Sequence, residues 1–358
     1  MVQRDNIHID LSPIRGHQRQ FNAVISPRED GKSAQGFYYL WYKDWKATGQ
    51  GVLIRLVRQA VEITGAMIEK DFKINLNKFL PEDQWVKPTF KQTDAETGIC
   101  PVYDSTTKKQ IALYVALSIK VKRLKDIGVE NPAVIIMDEF IINPQFDESY
   151  LKGEAVKFKE FYNTIRRENP KIQAWFFGNP YSLYNPYLVD WGVDVWKLKK
   201  NEIYAPKGLP FAVWYKELNP LLKEKLLDEN PLYKFDKDYI AYALEGNAVN
   251  DANIHLNKNL PNDFYLDFVL AREDGKKFGV YKSKFVSDYS YYVRKIGEMG
   301  SRRFAYTFSV DAICDKHLLV DNEVRWVFRR FKQAMSINDV EWEDLECYYF
   351  VKEIYKLL

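Results

Sequence analysis

The sequence predicts a doubly wound, mainly parallel α/β sheet, followed by a linker and a smaller α+β unit. Three observations carry that reading. Short apolar runs alternate with helix-like segments from Phe21 to Asn179. Several of these runs are apolar on both faces, the mark of strands buried inside a parallel sheet. Beyond residue 250 the pattern changes to paired β runs around an Asp-Gly turn. The expected boundaries are 1–200 for the α/β domain, 201–250 for the linker region and 251–358 for the smaller domain.

Composition agrees with two packed cores. The chain has 358 residues, 46% hydrophobic and 15% aromatic, which suits about two domains. A net charge of +3 carries no polycationic signature, so any nucleic-acid contact depends on local patches. Cys100, Cys314 and Cys347 are far apart and lack metal-ligand spacing, as expected of reduced cytosolic thiols. Met1–Gly16 has no apolar core, and no run approaches the roughly 18 apolar residues of a membrane span. The expectation is a protein of the cytoplasm with no membrane partner.

The first run, Phe21–Ile25, leads into Ser26-Pro27-Arg28-Glu29-Asp30-Gly31-Lys32-Ser33 and then a helix-like segment from Ala34 to Trp45. Strand, tight loop ending in Gly-Lys-Ser, and helix form the phosphate-binding P-loop. Backbone N–H groups of the loop (Ser26, Arg28, Asp30, Gly31) wrap phosphate oxygens, and the helix N-terminus adds its dipole. Lys32 reaches the β/γ-phosphates and Ser33 ligates Mg²⁺. The pattern asks for glycine at position 26, where this chain has serine.

Gly51–Arg58 reads as a second strand, ending in arginine, and Ala60–Lys70 as a helix. Residues 71–115, punctuated by Pro81, Pro88, Gly98 and Pro101, read as an inserted hairpin without chemistry of its own. Ala133–Phe140 is a buried strand ending in Asp138 and Glu139. At the C-terminal edge of a parallel sheet this is the Walker B arrangement, with Asp138 in the Mg²⁺ shell and Glu139 polarising the attacking water. A helix from Ser149 to Arg167 and a strand from Ile172 to Asn179 follow. Asn179 stands where a γ-phosphate sensor belongs, and Asn179-Pro180 is equally a turn initiator.

Lys125, Arg166 and Arg167 precede strands, which places them at the edge opposite the nucleotide. Strands of this length span about 25 Å, so none reaches its own chain's ATP. An arginine finger among them must act on a neighbouring subunit; otherwise they are solvated basic helix ends.

From Val193 the pattern dissolves among Pro206, Pro210, Pro220 and Pro231, with helical pieces at Asn219–Leu227 and Asp236–Leu244. In the last domain, Phe264–Leu270 and Lys277–Tyr281 flank Glu273-Asp274-Gly275-Lys276 as a hairpin, and a strand Arg303–Val310 precedes a helix Asn322–Met335. Asp267, Asp311 and Asp321 are either a two-metal nuclease site or ordinary surface and capping acids. Arg325, Arg329 and Arg330, with Arg302-Arg303, form a basic face suited to phosphates or to solvent.

Val24–Ser33, Asp138-Glu139-Phe140, Gly178–Tyr187 and Leu319–Arg325 together resemble the phi29-like genome-packaging ATPases of small tailed bacteriophages. The resemblance implies a RecA/FtsK-like ATPase of the additional-strand class and a C-terminal RNase H-like fold that has lost nuclease activity. It implies a pentameric ring acting in the host cytoplasm, docked transiently on the portal vertex of a procapsid and driving double-stranded DNA inward with ATP and Mg²⁺. Some relatives also use a packaging RNA. Carried over, Lys32 and Ser33 bind phosphate and Mg²⁺, Asp138 the metal shell and Glu139 the water. Arg167, with Arg166 beside it, and Lys125 correspond to trans-acting residues. Two other readings stay open: a terminase-like motor with a working nuclease, and a different P-loop enzyme such as a helicase or a nucleotide kinase.

Overall fold

A computed structural model describes residues 8–354 except 93, 95–96, 144–149, 184, 194–196, 231–243, 245–255, 286–289, 298–304, 309–316, 321–324 and 337–338. Two compact units divide the chain, Met1–Val249 and Asn250–Leu358.

The first unit is built on β1 (Phe21–Ile25), β2 (Val52–Val57), β3 (Pro88–Thr89), β4 (Ile99–Asp104), β5 (Gln110–Ala116), β6 (Pro132–Asp138), β7 (Gln173–Gly178), β8 (Ile203–Tyr204) and β9 (Phe211–Tyr215). Their order is β3-β4-β5-β2-β6-β7-β1-β9-β8. The run β5-β2-β6-β7-β1-β9 is parallel, with antiparallel pairs only at the two margins. β7 lies between the P-loop strand β1 and the Walker B strand β6, as the additional-strand class requires.

Alternation along β1 shows how both faces are covered. Phe21, Ala23 and Ile25 enter one core and Val24 the other. The first core packs the Glu154–Arg166 helix on the sheet, with the Phe158 and Phe176 rings edge-to-face at 4.9 Å. The second core packs the helix that follows the P-loop. That helix runs from Lys32 to Thr48 and has a π-helical middle turn, Gly36–Tyr42. Gly36 is required there: a Cβ would come within 2.6 Å of the Phe177 ring.

One expectation is corrected. Stretch 201–250 is not simply a linker, because β8 and β9 belong to the main sheet and β9 pairs in parallel with β1. The hairpin expected within 71–115 is present as β4–β5, and β5 joins it to the main sheet by pairing in parallel with β2. Of the helical pieces expected nearby, Pro220–Glu229 is present, while nearly all of 236–244 lies outside the described residues.

The second unit has β10 (Phe264–Ala271), β11 (Lys277–Ser283), β12 (Tyr291–Ile296), β13 (Ala305–Thr307), β14 (His317–Leu319) and β15 (Val340–Trp342), in the order β14-β13-β10-β11-β12-β15. An antiparallel meander β10-β11-β12 is extended by parallel strands β13 and β14 on the far side of β10. This is the RNase H-like arrangement, with β15 added parallel to β12. Phe268, Phe278, Phe331, Trp342 and Phe350 fill its core. Among the described residues, Cys100 and Cys347 are buried free thiols, and no helix is long and apolar enough to cross a membrane.

Candidate nucleotide site

At the edge where the parallel strands end, loops after β1, β6 and β7 enclose a cleft of about 370 Å³. Arg28, Lys32, Ser33, Asp138, Glu139 and Asn179 contribute to its walls. Short apolar strands bring them together: each runs buried through the sheet to Ile25, Met137 or Gly178, and the polar groups just beyond meet at the rim.

The P-loop tolerates serine at position 26 for a visible reason. Ser26 continues the strand, its N–H donating to the Gly178 carbonyl at 3.1 Å. The left-handed positions of the loop are Glu29 (φ 63°) and Gly31 (φ 82°). Glycine is needed at the second for its backbone and because the His8 side chain packs 3.2 Å from where a Cβ would stand. The side chains of Ser26 and Asp30 are fully buried and are not part of the cleft wall, so they can serve a ligand only through their backbone.

Lys32 Nζ donates to the carbonyls of Ser26 (2.8 Å) and Pro27 (2.7 Å) and to Asn179 Oδ1 (3.3 Å). Burial pushes its ammonium down to about 8, against the pull of Asp30, Asp138 and Glu139. Ser33 Oγ lies 2.5 Å from Asp138 Oδ2. These two oxygens, one from the P-loop and one from the Walker B strand, are a donor set for a hard cation. Glu139 projects from an exposed residue held at φ 57°, a strained backbone of the kind that clusters at functional sites. Asn179 is 9% exposed and bonded to Lys32, so it is more than a turn initiator.

Behind the cleft stand groups that the sequence did not single out. Arg55 of β2 is buried between Asp71 (3.2 Å) and Asp138 (3.8 Å), and the Tyr114 hydroxyl donates to Asp71 at 3.1 Å. Burial raises the Asp71 carboxyl, and Arg55 opposes that rise. Arg58 donates to the fully buried Glu154 at 2.9 Å and to the Phe140 carbonyl at 3.1 Å, bracing the turn after Glu139. Tyr187 also donates to Glu154 (2.9 Å), which gives the Pro186-Tyr187 step a structural task. In the cleft wall itself, Arg28 of the expected loop donates to the Tyr181 hydroxyl at 2.8 Å, joining the P-loop to the segment after β7. The only sequence signals were a charge inside the apolar β2 run and one at its end.

Arg166 and Arg167 are exposed where the Glu154–Arg166 helix turns into β7, at the edge where the strands begin. Lys125 closes a short helix before β6 and pairs with Glu160 at 2.9 Å. None of the three belongs to the cleft of its own chain. In the second unit Asp267 is exposed at a bulge of β10, while Asp311, Asp321, Arg302 and Arg303 lie outside the described residues. Arg329 and Arg330 are exposed at the start of the Arg329–Ser336 helix.

No protein-family model matches the chain, and no curated protein matches it in sequence. Solved structures do match. A chain of the bacteriophage Phi-29 viral genome packaging motor assembly aligns with a TM-score of 0.70 at 15% identity, over 98% of this chain and 99% of that one. The Phi-28 gp11 DNA packaging motor aligns with a TM-score of 0.58 at 15% identity, over 98% of this chain and 97% of that one. Over nearly its whole length, this chain has the fold of these phage packaging-motor chains.

Proposed function

We propose that the chain is the ATP-hydrolysing subunit of a motor that drives double-stranded viral DNA into a procapsid. The observation that carries this is the convergence of Lys32, Ser33, Asp138, Glu139 and Asn179 on one cleft, within a chain that shares the full-length fold of packaging motors.

The cleft fits Mg²⁺-ATP on its own geometry. Lys32 rests on two loop carbonyls that offer no countercharge, so a phosphate oxygen is a better partner for it. The Ser33–Asp138 oxygen pair fits the metal. Held by Ser33 and Asp138, Mg²⁺ would supply positive charge against the phosphates. The loop N–H groups orient the phosphates, Lys32 compensates charge that develops on the γ-phosphoryl group, and Glu139 orients and polarises the attacking water. Asn179, already on Lys32, is the group best placed to respond to the γ-phosphate and pass its loss to the segment that holds Tyr181.

The site is one-sided. Arg166 or Arg167 would complete it only from a neighbouring subunit, which supports action as a homo-oligomeric ring, pentameric in the resemblance, docked on the portal. A packaging RNA belongs to the same proposal and is tested by ribonuclease treatment of an assembled motor. The deciding experiment is steady-state ATP hydrolysis with and without double-stranded DNA, and with portal-bearing procapsids, for wild type and Glu139→Gln. Hydrolysis that rises on assembly and disappears in the variant supports the motor. Hydrolysis indifferent to both DNA and procapsids sinks it.

A further inference from the structure

Asp30 is anomalous. A carboxylate immediately before the Gly-Lys-Ser tripeptide puts negative charge into a loop built to receive phosphates, and this one is fully buried. Its nearest cationic partner comes from far away in sequence: Lys216 Nζ lies 3.5 Å from Asp30 Oδ1. Lys216 is the residue directly after β9, and its N–H continues the parallel pairing by donating to the Ile25 carbonyl at 2.8 Å. The same ammonium donates to the Glu217 carbonyl at 2.9 Å and lies 5.9 Å from the Trp214 ring. Its side chain is 16% exposed, so solvent screens the pair weakly. Asp30 is also anchored from outside, its carbonyl accepting from Ile9 N–H at 2.9 Å. Burial raises the Asp30 carboxyl, and Lys216 is the largest influence holding it down, ahead of Lys32 and the Ser26 hydroxyl.

We infer that Lys216 is a positioning residue of the nucleotide site: by neutralising Asp30 beneath the loop, it fixes the loop's shape and removes a buried negative charge that would repel the phosphates. Asp30 and Lys216 form an ionic clasp in a loop that lacks its first glycine. The clasp also ties the loop to β9, whose chain runs on through the Pro220–Glu229 helix. The inference rests on the nucleotide reading of the cleft.

A charge cycle on the full-length chain tests it, with Mg²⁺-ATP binding measured by titration calorimetry. Lys216→Met leaves Asp30 buried without its main partner and is expected to weaken binding about tenfold or more. Asp30→Asn/Lys216→Met removes the charge together with its partner and should recover affinity to within about threefold of wild type. Lys216→Arg should bind like wild type. A purely packing role for the lysine stem would instead leave the double variant as weak as Lys216→Met, and that result overturns the inference, as does a Lys216→Met chain that binds normally. If wild type itself binds no Mg²⁺-ATP, the nucleotide reading fails. Thermal melting of the same variants then decides the clasp: a lowered Tm in Lys216→Met that the double variant restores supports it, and no restoration overturns it.

Discussion

The two edges of the first sheet treat their charged residues in opposite ways. Where the parallel strands end, Lys32, Asp138, Arg55, Asp30 and Lys216 are buried or half-buried; Arg55 lies 3.8 Å from Asp138 and Lys216 3.5 Å from Asp30, while Lys32 is held by loop carbonyls and Asn179. Where the strands begin, Arg166 and Arg167 are exposed, and Lys125 makes a surface pair with Glu160. Burying charge costs several kcal/mol per ion, roughly, unless it is paired, so the first edge is organised in advance around a charged ligand. Among the described residues the second edge has no such organisation in one chain. In the proposed ring, it is the edge from which a group would reach a neighbour's cleft.

The hardest blow to this comparison would come from the exposed edge. Replacing both Arg166 and Arg167 by Ala should cut DNA-stimulated hydrolysis in the assembled motor by on the order of 10³-fold or more, the usual worth of an arginine finger. Mixing that variant with Glu139→Gln should recover part of the rate, since each subunit then supplies what the other lacks. No recovery in any mixing ratio would place the arginines outside catalysis. At the organised edge, Glu139→Gln should lose about 10²–10⁴-fold in turnover while still binding Mg²⁺-ATP, as a water-orienting group requires.

Behind that edge the effect moves from rate to stability. Asp71→Ala strips Arg55 of its nearest acidic partner and should destabilise the first unit by about 3 kcal/mol, read from urea unfolding. Gly36→Ala drives a Cβ against Phe177 where the P-loop helix meets the sheet. The expected cost is about 1–3 kcal/mol, and a crystal structure of the variant should show the helix displaced.

The smallest effect lies in the second unit and depends on pH. Burial alone would raise the Glu346 carboxyl, but hydrogen bonds and ion pairs from Lys276, Lys295 and Arg272 outweigh it and hold the group down to about 2. A carboxyl depressed in the folded state stabilises it fully above the ordinary range near 4.5 and loses that contribution as pH falls toward 2. The Tm difference between wild type and Glu346→Gln should therefore be widest near neutral pH and should shrink between about pH 4.5 and 2. A difference that stays constant over that interval would contradict the depressed carboxyl.

Much of the nucleotide edge was legible from local pattern. Phe21–Ile25, Ala133–Met137 and Ile172–Gly178 are mainly apolar runs bounded by polar residues, and such runs specify buried parallel strands. The position of Asp138, Glu139 and Asn179 at strand ends follows from the same runs. β9 escaped notice because Phe211–Tyr215 is short and sits among Pro206, Gly208 and Pro210. Its strand character is supplied by pairing with β1 rather than by the residues around it.

By itself, the sequence determined which residues leave the sheet at the nucleotide edge, because a period of apolar residues and the punctuation that ends it are local properties of the chain. Only the tertiary structure decided which distant charges meet there. Arg55 with Asp71 and Tyr114, Arg58 with Glu154 and Tyr187, and Asp30 with Lys216 are pairings across long stretches of chain. A buried ion finds its partner only after strands from separate parts of the sequence have been laid side by side, and nothing in either residue's neighbours says which partner that will be.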